Sequence, residues 1–145
     1  MNFNQIARGG IMRKSRTGSG LIETIVGCII LVPVLLFLID CASLVIGQSA
    51  NDALAKHAAR AASEQPVGSG LTAAQNVLNS YNAGNSTLTH NAALDPSSGY
   101  DATNQNFKCV TTMVVTMPVP IPFWNQNNIT FKAQAVEPVV SQLAP

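Results

Sequence analysis

The hydrophobic pattern divides the chain into three parts. Residues 1–18 (MNFNQIARGGIMRKSRTG) are polar, basic and glycine-punctuated, without periodicity long enough for a stable element. From Leu21 to Gly47 the sequence is almost continuously apolar, and only Glu23 and Asp40 within it carry charge. A helix needs roughly 20 apolar residues to cross a hydrocarbon core of about 30 Å, so this run predicts a spanning helix over about 21–47. Pro33, near its middle, removes one backbone hydrogen bond and predicts a kink. The helix should continue beyond the membrane. QSANDALAKHAARAASEQ is dense in alanine, the best helix former, and no proline intervenes before Pro66. Asp52, Lys56 and Arg60 recur every four residues on one stripe, with Asp52–Lys56 in the favourable acid-first order. Ala50, Leu54, Ala58 and Ala61 or Ala62 make a narrow apolar face opposite. One helix from Ser19 to about Ser63 is therefore expected.

Pro66-Val67-Gly68-Ser69-Gly70 breaks that helix. Leu71, Ala74, Val77, Leu78 and Tyr81 then recur at helical spacing, which predicts a short amphipathic helix over 71–82. AGNSTLTHNAALDPSSGYDATNQN is rich in turn residues and reads as a long surface loop, with room for a short strand around Thr87–Thr89. Phe107–Met117 and Ile129–Val136 alternate with period two and predict an antiparallel hairpin. The prolines of PVPIPFWNQNN suit the connection between them, since proline is confined to sheet edges and turns. The expected fold class is α+β: a long N-terminal helix, a short second helix and a small antiparallel hairpin or sheet. The expected domains are a leader over 1–18, the long helix over 19–63 and a small α+β domain over 64–145.

Charge adds an orientation. Arg8, Arg13, Lys14 and Arg16 precede the helix, with no acid among the first twenty residues. By the positive-inside rule the N-terminus stays cytoplasmic and the C-terminal portion is exported. The competing reading is a cleaved secretory signal, whose apolar region is normally shorter. From Ser19 onward four basic residues face seven acids, a net of −3, so no basic surface remains for nucleic acid. With hydrophobic residues at 47% but aromatics at 6%, and much of the apolar fraction in the membrane run, the exported part can build only a small core.

Candidate chemistry is sparse. His57 and His90 stand alone without a carboxylate or thiol at ligand spacing, so no metal or other cofactor is expected. No serine lies in a nucleophile elbow and no Cys-His pair is close in sequence, so no enzyme is expected. The three cysteines cannot all pair within one chain. Either Cys41 bridges Cys109 in an oxidising compartment, or all three are small buried hydrophobes. Asn85-Ser86-Thr87 and Asn128-Ile129-Thr130 match the glycosylation triplet, which has meaning only in a secretory host.

Glu23 is the exception. A carboxylate in a membrane helix is costly when unpaired, about 2.5–3.5 kcal/mol on insertion scales for the related Asp. It could snorkel to the interface and favour the positive end of the helix dipole. It could also pair with a cation at its own depth, and cleavage after Gly18 would create one: the α-amino group of Ser19 in a neighbouring chain. Basic residues, then GSGLIE, then an unbroken apolar helix resemble a type IV pilin-like signal. In that class a prepilin peptidase cuts after glycine and a glutamate stands fifth after the cut, which selects Gly18–Ser19. Gly18, Glu23, Pro33, Asp40 and the Ala-Ala-Arg-Ala-Ala of residues 58–62 follow the order seen in TadE-like pseudopilins of the Flp (Tad, tight adherence) pilus system. The C-terminal pair of strands around Pro122-Phe123 resembles that family in outline. The chain departs from its pattern at Thr24, where an aromatic usually follows the glutamate, and at Cys41-Ala42, in place of Phe-Gly.

The resemblance implies a pilin-like fold and a minor pilin or pseudopilin function in a bacterial inner membrane, with incorporation in a surface pilus a further implication. Implied partners are a prepilin peptidase, a major Flp-type pilin among other pilin-like subunits, an assembly platform with its ATPase, and membrane lipid. Gly18 and Ser19 would form the processing site, Glu23 would direct assembly and Pro33 would kink the helix. Two other classes remain open: a single-pass membrane-anchored binding module, and a pilin or pseudopilin of another type IV filament or secretion system.

Overall fold

A computed structural model describes residues 17–84, 86–120 and 127–140, with side chains from Gly20 onward. The fold is α+β, with a long apolar N-terminal helix, a second helix and a small antiparallel sheet. Its elements in order are α1 (Thr17–Ser63), α2 (Gly70–Ala83), β1 (Thr89–Leu94), β2 (Gly99–Asp101), β3 (Asn106–Thr116) and β4 (Asn128–Pro138). The leader residues 1–16, Asn85 and the Pro122-Phe123-Trp124 stretch lie outside the described residues. The chain forms two compact units, Met1–Leu35 and Leu36–Pro145. The C-terminal half of α1 is thus an integral part of the sheet unit.

In the first unit α1 is apolar and exposed throughout, from Leu21 at 66% to Val34 at 53%. One helix near the N-terminus is long and apolar enough to cross a membrane. The wholly exposed apolar run extends to Ile39 and stops short of the expected Gly47. Asp40, Ser43 and Gly47 are already buried against the second unit's other elements, because small and polar side chains at this spacing form one helical face. The exposed stretch is still roughly 20 residues, about the thickness of a hydrocarbon core.

In the second unit β3 is the central strand. It pairs along its whole length with β4, from Asn106 opposite Pro138 to Thr116 opposite Asn128. On its other side β1 covers Thr111–Val115 and β2 covers Asn106–Lys108, all antiparallel. The gap opposite Val110 is closed by side-chain and loop groups: Ser98 Oγ takes the Val110 N–H at 2.9 Å, and the Asp95 N–H donates to the Val110 carbonyl at 2.8 Å. The expected long loop therefore contributes two strands to the sheet, β1 and β2. THNAAL has little strand propensity of its own, and its pairing with β3 decides its state. A bulge between His90 and Ala93, with Asn91 at φ 54°, breaks the alternation that would have announced it.

Alternation on β3 places Phe107, Cys109, Thr111, Met113, Val115 and Met117 in the interior, all buried. Phe107, Cys109 and Met113 form one core with Leu54, Ala55, Ala58, Ala59 and Ala62 of α1 and Ala74 and Leu78 of α2. The alanines let the layers approach closely. At Gly47 a Cβ would collide with the Val115 methyls, and at Gly70 one would lie 2.7 Å from the Phe107 ring and 2.9 Å from the Ala62 carbonyl oxygen. Asp52, Lys56 and Arg60 are exposed as their stripe requires. The Asp52–Lys56 pair does not form. Asp52 instead accepts from Gln48 Nε2 at 3.0 Å, and Arg60 pairs with Glu64 at 3.2 Å.

Candidate functional site

The two acids of the apolar run occupy opposite environments. Glu23 is exposed among exposed Leu21, Ile22, Ile25 and Val26. Among the described residues no hydrogen bond or ion pair reaches it. The neighbouring Thr24 hydroxyl is held by the helix itself, donating to the Gly20 carbonyl at 2.8 Å. Gly18 and Ser19 lie in the first turn of α1, which begins at Thr17. Ser19 and Glu23 are four residues apart and so share one helical face. Pro33 sits inside α1, which continues through it, leaving the Ile29 carbonyl without its usual donor.

Asp40 is only 5% exposed. Its Oδ1 accepts the Val119 N–H at 3.2 Å. Val119 stands between Pro118 and Pro120, neither of which has an N–H to give, so its donor is the sole one at that point of the segment. The carboxylate thereby ties the chain leaving β3 to the helix. One acid in the run is thus enclosed with a partner and the other is bare.

No family model, no curated protein and no solved structure matches the chain.

All three cysteines are free, with Cys28 exposed, Cys41 partly covered and Cys109 buried. The Cys41–Cys109 bridge is not formed, and the register shows why. β3 runs antiparallel to α1: Thr111 meets Asn51, Val115 meets Gly47 and Val119 meets Asp40. Cys109 therefore lies beyond the level of Asn51, ten residues or about 15 Å along the helix from Cys41. A disulfide needs Cα atoms within about 7 Å. Burial pushes the Cys109 thiol up to about 11, which makes it inert at neutral pH. His57 and His90 remain separate, and among the described residues no group of His, Cys, Asp and Glu is placed to hold a metal ion.

Two polar residues that gave no sequence signal join the layers. Asn51 and Thr111 are both wholly buried. The Thr111 hydroxyl donates to Asn51 Oδ1 at 2.8 Å, and Asn51 Nδ2 donates to the Phe131 carbonyl at 3.2 Å. One amide thus joins α1 to both long strands. Asn82 of α2 closes the edge of β1 similarly: its amide donates to the Ala92 carbonyl at 2.8 Å and its Oδ1 accepts the Ala92 N–H at 2.9 Å. Asparagines in an Asn-rich sequence look like surface, and only the fold distinguishes these two. Lys132 pairs with Asp95 at 2.8 Å across the outer face of the sheet. That ammonium and the Ser97 donors hold the Asp95 carboxyl well below the ordinary carboxylate range, and Asn104 and the Thr103 N–H lower Asp101.

Proposed function

We propose that the chain is a minor pilin or pseudopilin of the Flp/Tad type. It is processed by a prepilin peptidase between Gly18 and Ser19, and its apolar helix packs among those of other pilin-like subunits. The observation that carries this reading is Glu23: an exposed carboxylate on an apolar helix surface, one helical turn from Ser19, with no partner among the described residues. Cleavage supplies the missing partner as the Ser19 amine of a neighbouring subunit, and the pair removes a desolvation cost that neither group could escape alone. The enclosed Asp40 supports the same reading, since its partner is internal and it asks nothing of a neighbour.

In this reading the N-terminus is cytoplasmic, the unit from Leu36 onward is largely outside the inner membrane, and the chain performs no catalysis. The test is Glu23→Ala in the native host. The variant should reach the membrane at the normal level while filaments are lost, because insertion depends on the apolar run and assembly on the charge pair. Normal piliation by Glu23→Ala would contradict the proposal.

A further inference from the structure

We infer that the free edge of β4, together with the groove beside it on α1, is a docking site for an extended segment of another protein, which adds to the sheet as a further strand. The inference does not depend on the pilus reading. Hydrogen bonds that continue the β3–β4 ladder at both ends, Met117 N–H to the Asn127 carbonyl and Val139 N–H to the Gln105 carbonyl, fix its phase. Residues 129, 131, 133, 135 and 137 then bond to β3, and Thr130, Lys132, Gln134 and Val136 direct their N–H and C=O groups outward. Among the described residues no backbone partner meets those outward groups.

Sheet edges are ordinarily guarded by bulges, prolines, covering groups or projecting lysines. The opposite edge follows that rule, with a bulge in β1 and the Asn82 amide on both polar groups of Ala92. β4 has no bulge, and its one proline stands at its last residue. Lys132, the side chain that could guard it, is drawn across the sheet to Asp95. Beside this edge lies an open groove of about 500 Å³ lined by Leu44, Val45, Gln48, Asp52 and Phe131. Val45 there is 69% exposed. An unguarded ladder calls for an extended main chain, and the groove under it accepts every second side chain.

The occupant is a partner strand with apolar residues at alternate positions and a cation to meet Asp52. A second copy is the competing occupant: the Asn82 amide closes the β1 edge at Ala92 against it, and a dimer of the unliganded chain is the outcome by which the test below would reveal it.

The test uses the full chain in detergent micelles with fluorescein-labelled synthetic peptides of about seven residues. One alternates valine and threonine and ends in lysine; the other has the same composition with its valines clustered. The alternating peptide should bind and slow amide exchange at Thr130, Lys132, Gln134 and Val136. Gln134→Pro, which removes an N–H that the β3–β4 ladder does not use, should weaken binding about tenfold or more. Gln134→Ala keeps that N–H and should bind as the parent does. Thermal unfolding of both variants establishes that the sheet survives. Equal binding of the two peptides, equal binding by Gln134→Pro in a folded protein, no binding of either peptide, or a dimer of the unliganded chain that Gln134→Pro dissociates would each overturn the inference.

Discussion

The buried amide of Asn51 makes the most quantitative prediction. Replacing it by alanine removes two hydrogen bonds, each worth about 1 kcal/mol net. It also leaves the Thr111 hydroxyl without an acceptor in a wholly buried position, adding about 1–3 kcal/mol, and empties the volume of the side chain. The expected loss for Asn51→Ala is about 3–5 kcal/mol, with the emptied volume adding to it. Thr111→Val keeps the shape and deprives only Asn51 Oδ1, so it should cost about 1–2 kcal/mol. In the double variant the orphaned hydroxyl no longer exists, and the combined loss should fall short of the sum by about 1 kcal/mol or more. At about 4–8 °C per kcal/mol for a domain near this size, Asn51→Ala should lower the unfolding temperature by roughly 12–40 °C. Circular dichroism of the full chain in micelles reads this as loss of the strand signal. The reasoning is refuted if Asn51→Ala melts no lower than the exposed control Asn79→Ala, or if the two single losses simply add.

Three further outcomes follow from the same packing. Gly47→Leu places a side chain on Val115 and should cost about 1–3 kcal/mol, with Val115→Ala restoring part of the loss in thermal unfolding. Asp95 and Asp101 titrate below their ordinary value of 3.8, so the stability they confer is complete above that pH and is lost as pH falls below it. The unfolding temperature should therefore stay flat from neutral pH to about 5 and drop below about 4, with a smaller drop in Asp95→Asn. Maleimide should leave Cys109 unmodified at neutral pH until the sheet unfolds, as mass spectrometry of the digested protein would register; labelling of the native state would contradict the burial of that thiol.

How far the sequence foretold the structure depended on how local each signal was. The apolar run and the alanine-rich continuation announce α1 because helix formation there needs only propensity and absence of proline before Pro66, Pro33 excepted. Strict alternation announces β3 and β4 because one face of each is buried. β1 and β2 carry no such mark: THNAAL is bulged at Asn91, and Gly99–Asp101 is too short to show a period. Their order comes from β3, from the Ser98 link to Val110 and from the amide of Asn82. The candidate site divides in the same way. Glu23 is conspicuous in one dimension because nothing charged surrounds it, whereas the Asp40–Val119 bond spans 79 positions and the Asn51–Thr111 bond spans 60. The failure of Asp52 to pair with Lys56 has a local cause, since Gln48 one turn earlier reaches the same carboxylate.

The pairing assigned to Glu23 requires an amine that exists only after the leader is removed. The intact mass of the protein purified from membranes of its native host tests this most directly. A mature chain beginning at Ser19, with or without N-methylation, is the predicted result; a chain retaining residues 1–18 would contradict the account and leave a membrane-anchored domain whose acid has no assembly partner.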